Sequence, residues 1–407
     1  MIRVGLIGLG QRGSNILKQV LLERDDVVVT AVSDVYQDRM EQAQELIKDR
    51  KNVQAAAYAD YRALLQAPDV DAVLVMSSWD THVKIAVEAM LAQKAVGMEV
   101  GGCYDLEECW QLVHTWEETR VPFMFLENCC YGRNELMVLN MVRQGVLGEV
   151  VHCAGGYRHD LRNEVATGEE NRHYRLKNYL HRNAENYPTH ELGPIAKVLK
   201  INHGNRMLSL VSVASVSRGM EAYIAREENV NSKLKGRRFA QGDIVNTLIT
   251  CANGETISLV LDTTLPRPYS RDFAVHGTAG MYQEQNNSLF LDGEHNSFDF
   301  SWQEKWNNFE QYREQYEHPI WREYLNAGVK GGHDGIDWLV LDAFFQSLKE
   351  GTAMPIDVYD AASWMAVTAL SEQSILQGGA PVAIPDFTLG KWLSEDKRNK
   401  GKYTLDD

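Results

Sequence analysis

No apolar run in this chain is long enough to cross a bilayer, so no membrane-spanning helix is expected. Met1 leads straight into the strand-like run Ile2-Arg3-Val4-Gly5-Leu6-Ile7, with no basic and apolar stretch ahead of it, so no export signal is expected. Cysteine is sparse. Cys103, Cys109, Cys129, Cys130, Cys153 and Cys251 show neither zinc nor disulfide spacing, and adjacent Cys129 and Cys130 do not readily pair. The expectation is six reduced thiols, no metal and a cytoplasmic setting. Positive charge is in deficit: the net charge of −15 argues against nucleic acid or an anionic membrane as partner. Internal repeats and low-complexity segments are absent as well.

What remains is a globular composition, 44% hydrophobic and 24% charged, on 407 residues, which is too long for one simple core. The first 34 residues are the most informative. The run to Ile7 enters Gly8-Leu9-Gly10-Gln11-Arg12-Gly13, then a helical pattern, then a second strand, Val27 to Ser33, ending at Asp34. This is the order of a dinucleotide-binding βαβ unit. Gly8 permits the tight turn, Gly10 lets backbone approach a pyrophosphate, and Gly13 lets helix pack on strand. The helix N-terminus offers its unpaired N–H groups to phosphate. Asp34 is spaced to bind the adenosine ribose hydroxyls and to repel a 2′-phosphate, which favours NAD over NADP.

Alternation of strand and helix continues to about residue 128. Helices are expected at 37–51, 60–65, 81–92 and 106–119, and strands at 70–77, 94–100 and 122–126. This predicts an α/β, doubly wound Rossmann domain over 1–128. Beyond it come a helix at 134–144 and strands at 150–157, 206–217, 243–251, 256–264 and 271–277, with Asn253-Gly254 as a hairpin signal. An α+β domain with a mostly antiparallel sheet is expected over 129–390, with late helices at 335–350 and 358–376. A loosely held polar tail is expected over 391–407.

Ligands of an open α/β sheet bind beyond the carboxyl ends of its strands. That rule selects Trp79, Asp80, Thr81 and His82 after the 70–77 strand, Glu99 and Val100 at the end of the 94–100 strand, and Glu127 and Asn128 after the 122–126 strand. Loop packing and a helix cap by Asp80 or Thr81 are the plainer readings of the first group. In the second domain, Arg175 and the run Tyr187-Pro188-Thr189-His190 bring together groups suited to a sugar site. Thr189 as a helix cap and His190 as a surface residue stand level with that reading. Tyr269, in the stiff segment Leu265-Pro266-Arg267-Pro268-Tyr269-Ser270, competes with a plain turn. Asp334 reads as the cap of the following helix, and Tyr157, His159 and Asp160 rank second. The Trp and Tyr residues between Trp302 and Tyr324 read as core or interface, with a sugar-stacking lid as the other reading.

The layout resembles the Gfo/Idh/MocA group of NAD(P)-dependent sugar oxidoreductases. Two of that group's usual features are missing. Glu99-Val100-Gly101 stands where Glu-Lys-Pro is usual, and the Asp-x-Gly-x-His-x-x-Asp helix signature is replaced by His190 to Lys197. Four longer motifs resemble glycoside hydrolase family 109: Glu127 to Arg133, Tyr187 to Pro194, Leu265 to Ser270 and Pro355 to Ala362. That resemblance implies an NAD-dependent α-N-acetylgalactosaminidase. It puts cofactor contacts at Arg12, Gly13, Asp34, Trp79 to His82, Glu99, Val100 and Asn128. Sugar contacts fall at Arg175, Tyr187 to His190 and Tyr269, and we add Glu127 to the substrate side. It implies transient oxidation at sugar C3, elimination of the aglycone through loss of the C2 hydrogen, addition of water and re-reduction. Tyr187 and His190, with Tyr269 assisting, are then the proton-transfer groups. The alternative is a dehydrogenase using free NAD, against which the missing lysine counts. A non-catalytic NAD-dependent sensor is a third reading, disfavoured by the Tyr, His and Arg cluster. The resemblance further implies a homo-oligomer, a dimer or tetramer, acting on a small carbohydrate.

Overall fold

The computed structural model describes residues 1–227, 230–296, 298, 301–394 and 398–406. The chain divides into two units. The first is Met1–Tyr131, Glu323–Ala362 and the described part of Asp396–Asp406. The second is Gly132–Arg322 with the described part of Ser363–Glu395.

The first unit contains a six-stranded parallel sheet. Its strands are β1 (Ile2–Ile7), β2 (Val27–Ser33), β3 (Ala56–Tyr58), β4 (Ala72–Val75), β5 (Ala95–Met98) and β6 (Phe123–Phe125). Their order is β3-β2-β1-β4-β5-β6, the doubly wound arrangement. β4 is buried along its whole length, as both faces of a parallel strand are covered by helices. The helix Trp79–Leu91 begins two residues before the sequence pattern suggests. It places Trp79 to His82 in a first turn, with Ser78 rather than Asp80 or Thr81 at the cap position. The bounds of helices Gln37–Lys51 and Leu106–Thr119 are those expected, the latter capped by the Asp105 carboxylate on the Glu108 N–H.

Two later segments complete this unit. The Ile356 carbonyl accepts from the Phe125 N–H at 3.0 Å, so the 355–357 stretch lies along β6. The expected tail is corrected: Tyr403 and Leu405 are buried, and the Tyr131 hydroxyl donates to the Tyr403 carbonyl at 3.1 Å. Two apolar side chains among many charges suffice to anchor the segment. Residues 395–397 and 407 of that stretch lie outside the described residues.

The second unit contains an eight-stranded sheet. It is built from β7 (Val150–Arg158), β8 (Met207–Ala214), β9 (Ile244–Cys251), β10 (Thr256–Asp262), β11 (Ala274–Gly277), β12 (Gly280–Gln283), β13 (Ser288–Leu291) and β14 (Val382–Ala383). The order is β13-β12-β11-β7-β10-β9-β8-β14. Only β7 and β10 pair in parallel. The Asn253-Gly254 turn closes β9 on β10, with Thr250 opposite Thr256 and Gly254 at φ +103°. One face of the sheet is buried through Val245, Thr247, Ile249, Ile257 and Leu259. Val213 and Leu248 on the other face are exposed.

Candidate functional site

In the first unit, the glycines of the β1 turn divide by role. Gly8 has φ +94°, and a Cβ there would lie 2.6 Å from the Met76 backbone. A Cβ on Gly13 would lie 2.0 Å from the Gly8 carbonyl oxygen. Gly10 is different. Its Cβ would meet nothing nearer than Arg39, at 3.6 Å. The protein's own packing does not require glycine at position 10, whereas a phosphate lying on the backbone does. The helix Gln11–Gln19 starts immediately after it, with Gly10 as its cap residue. Asp34 directly follows β2, its carboxylate fixed by two backbone donors, Leu9 N–H at 2.6 Å and Tyr36 N–H at 3.0 Å. These features fit a nicotinamide dinucleotide, with pyrophosphate at Gly10 and adenosine ribose at Asp34.

Across the other half of the sheet, the selected residues form one ionic knot. The Arg12 guanidinium donates to Glu99 at 2.7 Å and to Asp337 at 2.8 Å. Asn128 donates to the second Asp337 oxygen at 2.7 Å, and His333 Nδ1 lies 2.7 Å from the first. Burial works against the Arg12 charge, but the two carboxylates outweigh it and raise its pKa. Asp337 is held far below the usual carboxylate range: its burial pushes the other way and is outweighed by His333 and Arg12. Asp337 was not foreseen, since it is 209 residues from Asn128 and looks like an ordinary residue in the first turn of a helix. Asp334 does not cap that helix. Gly335 takes the cap position, and Asp334 is left-handed at φ +54°. His82 is buried, with Nε2 2.8 Å from the Ser77 carbonyl, and burial lowers its pKa. Trp79 packs so tightly on Gly101 that a Cβ there would lie 2.5 Å from its ring.

In the second unit, β7 ends in an aromatic cluster. Gly155 lets the helix Thr189–Val198 approach the strand, as a Cβ there would lie 2.9 Å from Glu191. Mutual hydrogen bonds between the Arg158 and Ser270 backbones, at 3.2 and 2.9 Å, bring the proline-rich segment alongside. Tyr157 is thereby central. Its ring centroid is 4.6 Å from Tyr187, 5.5 Å from His190 and 6.3 Å from Tyr269. Tyr187 and His190 meet edge-on at 4.7 Å. The Tyr157 hydroxyl lies 3.0 Å from His159 Nδ1, and His159 is 5.2 Å from the Tyr269 ring. Arg175, which is buried, lies over Tyr187 at 5.1 Å and pairs with Glu164 at 2.6 Å. Burial opposes its charge, but Tyr174, Tyr157 and Glu164 keep it protonated. Burial lowers the His159 pKa, and Arg175 adds to the effect.

Four expected residues, Arg175, Tyr187, His190 and Tyr269, therefore share one cluster. Thr189 is not a helix cap: it is fully buried as the first helical residue, with Pro188 at the cap position. His190 is half-buried among rings rather than on the surface. Tyr157 and His159 rise from second rank. Their i, i+2 spacing at a strand end was the available signal. Asp160 instead pairs with Arg162 at 2.6 Å. Glu164 gave no signal. The Trp302 side chain lies outside the described residues.

The segment before Tyr187 is pinned from below. The Gln241 amide accepts from Asn186 and donates to the Ala184 carbonyl, while Ser371 accepts from the Glu185 N–H at 2.8 Å. Burial pushes the Glu185 carboxyl up to about 8, against a weaker lowering by the Tyr187 N–H. Beside the cluster, Arg271 forms ion pairs with Glu135 and, at 3.4 Å, with Glu191, tying the segment after Tyr269 to the helix that carries His190.

Comparison with known proteins agrees with both halves. Residues 2–126 match a family described as "Oxidoreductase family, NAD-binding Rossmann fold", and residues 131–394 match "Glycosyl hydrolase 109, C-terminal domain". A glycosyl hydrolase family 109 protein of Stenotrophomonas maltophilia is 37% identical, with 100% of this chain and 92% of that protein covered. An alpha-N-acetylgalactosaminidase of Tannerella forsythia is 35% identical, with 97% and 87% covered. Solved structures share the fold. A levoglucosan dehydrogenase in complex with NADH and levoglucosan has a TM-score of 0.69 at 16% identity, with 94% of this chain and 99% of that one covered. The scyllo-inositol dehydrogenase of Lactobacillus casei with bound NAD(H) and scyllo-inositol has a TM-score of 0.65 at 13% identity, with the same coverage. With its nucleotide-binding half, its aromatic half and full-length relatives in agreement, this chain belongs to glycosyl hydrolase family 109.

Proposed function

We propose that the protein hydrolyses α-N-acetylgalactosaminides, or closely related glycosides, with NAD that returns to its starting oxidation state in every turnover. The observation that carries this reading is the Tyr157, Tyr187, His190, Tyr269 and Arg175 cluster in a family 109 chain. The T. forsythia relative's name supplies the sugar. The Asp34 carboxylate supports NAD rather than NADP.

When bound, the cofactor supplies a reversible hydride acceptor for sugar C3. The chain's own groups handle the protons. Tyr187 and His190, held edge to face, are the pair that takes the C3 hydroxyl proton and the C2 hydrogen, and Tyr269 assists. Arg175 binds a sugar oxygen through its fork of donors. Glu164 pairs with Arg175. Phenol and imidazole groups suit proton transfer around a C–H bond, whereas the usual glycosidase route works through two carboxyl groups flanking the glycosidic bond. Glu127, fully buried at the end of β6, is kept on the substrate side.

An aryl α-N-acetylgalactosaminide tests the reading, followed both for aglycone release and at the NADH absorbance. Release that needs NAD but leaves no lasting NADH is the expected result. Stoichiometric NADH would establish a sugar dehydrogenase instead.

The exposed sheet face suggests a homo-oligomer, a dimer or tetramer. Val211, Val213, Leu248 and Val260 lie on it in register, and Leu248→Lys is expected to dissociate the assembly in sedimentation experiments. The six buried thiols and the net charge of −15 support a cytoplasmic protein without nucleic acid or membrane partners.

A further inference from the structure

We propose that His333 sets the charge of the nucleotide site, and through it the site's preference between reduced and oxidised nicotinamide. The proposal rests on reading the first unit as an NAD site. The groups involved come from four elements. Arg12 stands at the start of the fingerprint helix, Glu99 follows β5, Asn128 follows β6, and Asp337 opens the helix Ile336–Glu350. Two carboxylates against one guanidinium leave the knot with one unit of unbalanced negative charge. His333 is placed to cancel it, with Nδ1 2.7 Å from Asp337 and 3.4 Å from Arg12.

Its placement is built into the backbone. His333, Asp334 and Gly335 are consecutive left-handed residues, at φ +50°, +54° and +97°. Two of them are not glycine, which is costly and persists where surrounding structure demands it. Gly332 is crowded as well: a Cβ there would lie 2.2 Å from the Gln19 side chain and 3.1 Å from Asp337. The loop thus holds the imidazole on the carboxylate. Asp337 raises the His333 pKa above the ordinary 6.5, Glu99 adds to this, and burial and Arg12 oppose it. Its titration is therefore moved above that of a free imidazole.

Asp34 marks the adenosine end, on the β2 side of β1. The knot lies beyond β5 and β6, the half of a doubly wound sheet that receives the nicotinamide. The oxidised ring carries a positive charge and the reduced ring carries none. With His333 neutral, the knot is negative and favours the oxidised ring. With His333 protonated, that preference disappears. Linkage requires the reverse as well, so bound NADH must raise the His333 pKa relative to bound NAD.

The test is nucleotide binding, not turnover. The protein is equilibrated with a fixed NAD and NADH mixture from about pH 6 to about pH 9, and the bound nucleotides are separated after denaturation. In the wild type, the bound NADH to NAD ratio is expected to fall about 5- to 10-fold as pH rises, the scale of one partly screened charge. His333→Asn suits the comparison because asparagine tolerates a left-handed φ and the His333 side chain is 63% exposed. Its ratio is expected to stay flat. A slope in His333→Asn equal to the wild-type slope overturns the proposal. A second measurement needs no variant: the His333 imidazole is titrated by NMR in the NAD and NADH complexes. A higher pKa with NADH supports the proposal, and equal values overturn it. Failure to bind either nucleotide at any pH refutes the NAD reading itself, and the proposal with it.

Discussion

The two units solve opposite problems with their polar groups. In the first, each functional group is locked in place. Asp34 is fixed by two backbone N–H groups, and Arg12, Glu99, Asn128, Asp337 and His333 satisfy one another. In the second, phenol and imidazole rings pack against one another, and the Arg175 guanidinium lies over the Tyr187 ring. Preorganised ion pairs hold a charged ligand in one place, whereas phenols and imidazoles exchange protons near neutral pH when their surroundings tune them. On the proposed reading, binding of the dinucleotide and handling of the sugar's protons fall to different parts of the chain. Variants should separate them.

The sharpest separation comes from the proton-transfer pair. His190→Ala and Tyr187→Phe are expected to lower turnover by about 10²-fold or more while leaving the NAD content of the purified protein unchanged. If both variants keep near-normal turnover, the proton chemistry has been placed on the wrong residues.

A second variant breaks the comparison from within the sugar half. In that half, burial pushes the Glu185 carboxyl up to about 8. An acid with a raised folded-state pKa stabilises the fold fully below its ordinary value of 4.5, and that contribution drains away as pH rises toward 8. Glu185→Gln should therefore match the wild type near pH 4.5 and exceed it at pH 8, by on the order of 3 kcal/mol. Urea unfolding at both pH values measures this. A stability gap that does not grow with pH would show that Glu185 is ionised in the fold.

The smallest expected effect lies in the nucleotide half. Asp34→Asn should weaken NAD binding by about 1–3 kcal/mol and reduce the discrimination against NADP, with little change in turnover at saturating NAD. Calorimetry with both nucleotides provides the measurement.

Features set by local chemistry were legible in the sequence. The helices Gln37–Lys51, Leu106–Thr119 and Val358–Leu376 have the bounds their patterns imply. The roles of Gly8 and Gly13 follow from backbone geometry alone. β3, β12, β13 and β14 escaped notice because strands of two to four residues carry too few alternations to register. The knot escaped for another reason. Asp337 joins Arg12 and Asn128 only after the chain returns to the first unit, and no local pattern marks such a return. Asp334 looked like a cap because it is an acid ahead of a helix, but the strained loop turns it away and gives that position to Gly335. Tyr157 was visible at a strand end. Its central place depends on the β7 pairing with the Tyr269 segment, which sequence does not specify.

The central claim is that the glycosidic bond breaks by elimination through the C2–H bond. Turnover in heavy water, with the product sugar examined by NMR, tests it directly. A primary isotope effect with C2-deuterated substrate covers a shielded base that returns the same proton. The account predicts deuterium at C2 or that isotope effect, together with a requirement for NAD and no accumulation of NADH. Release of aglycone with C2 unlabelled and no isotope effect would contradict it.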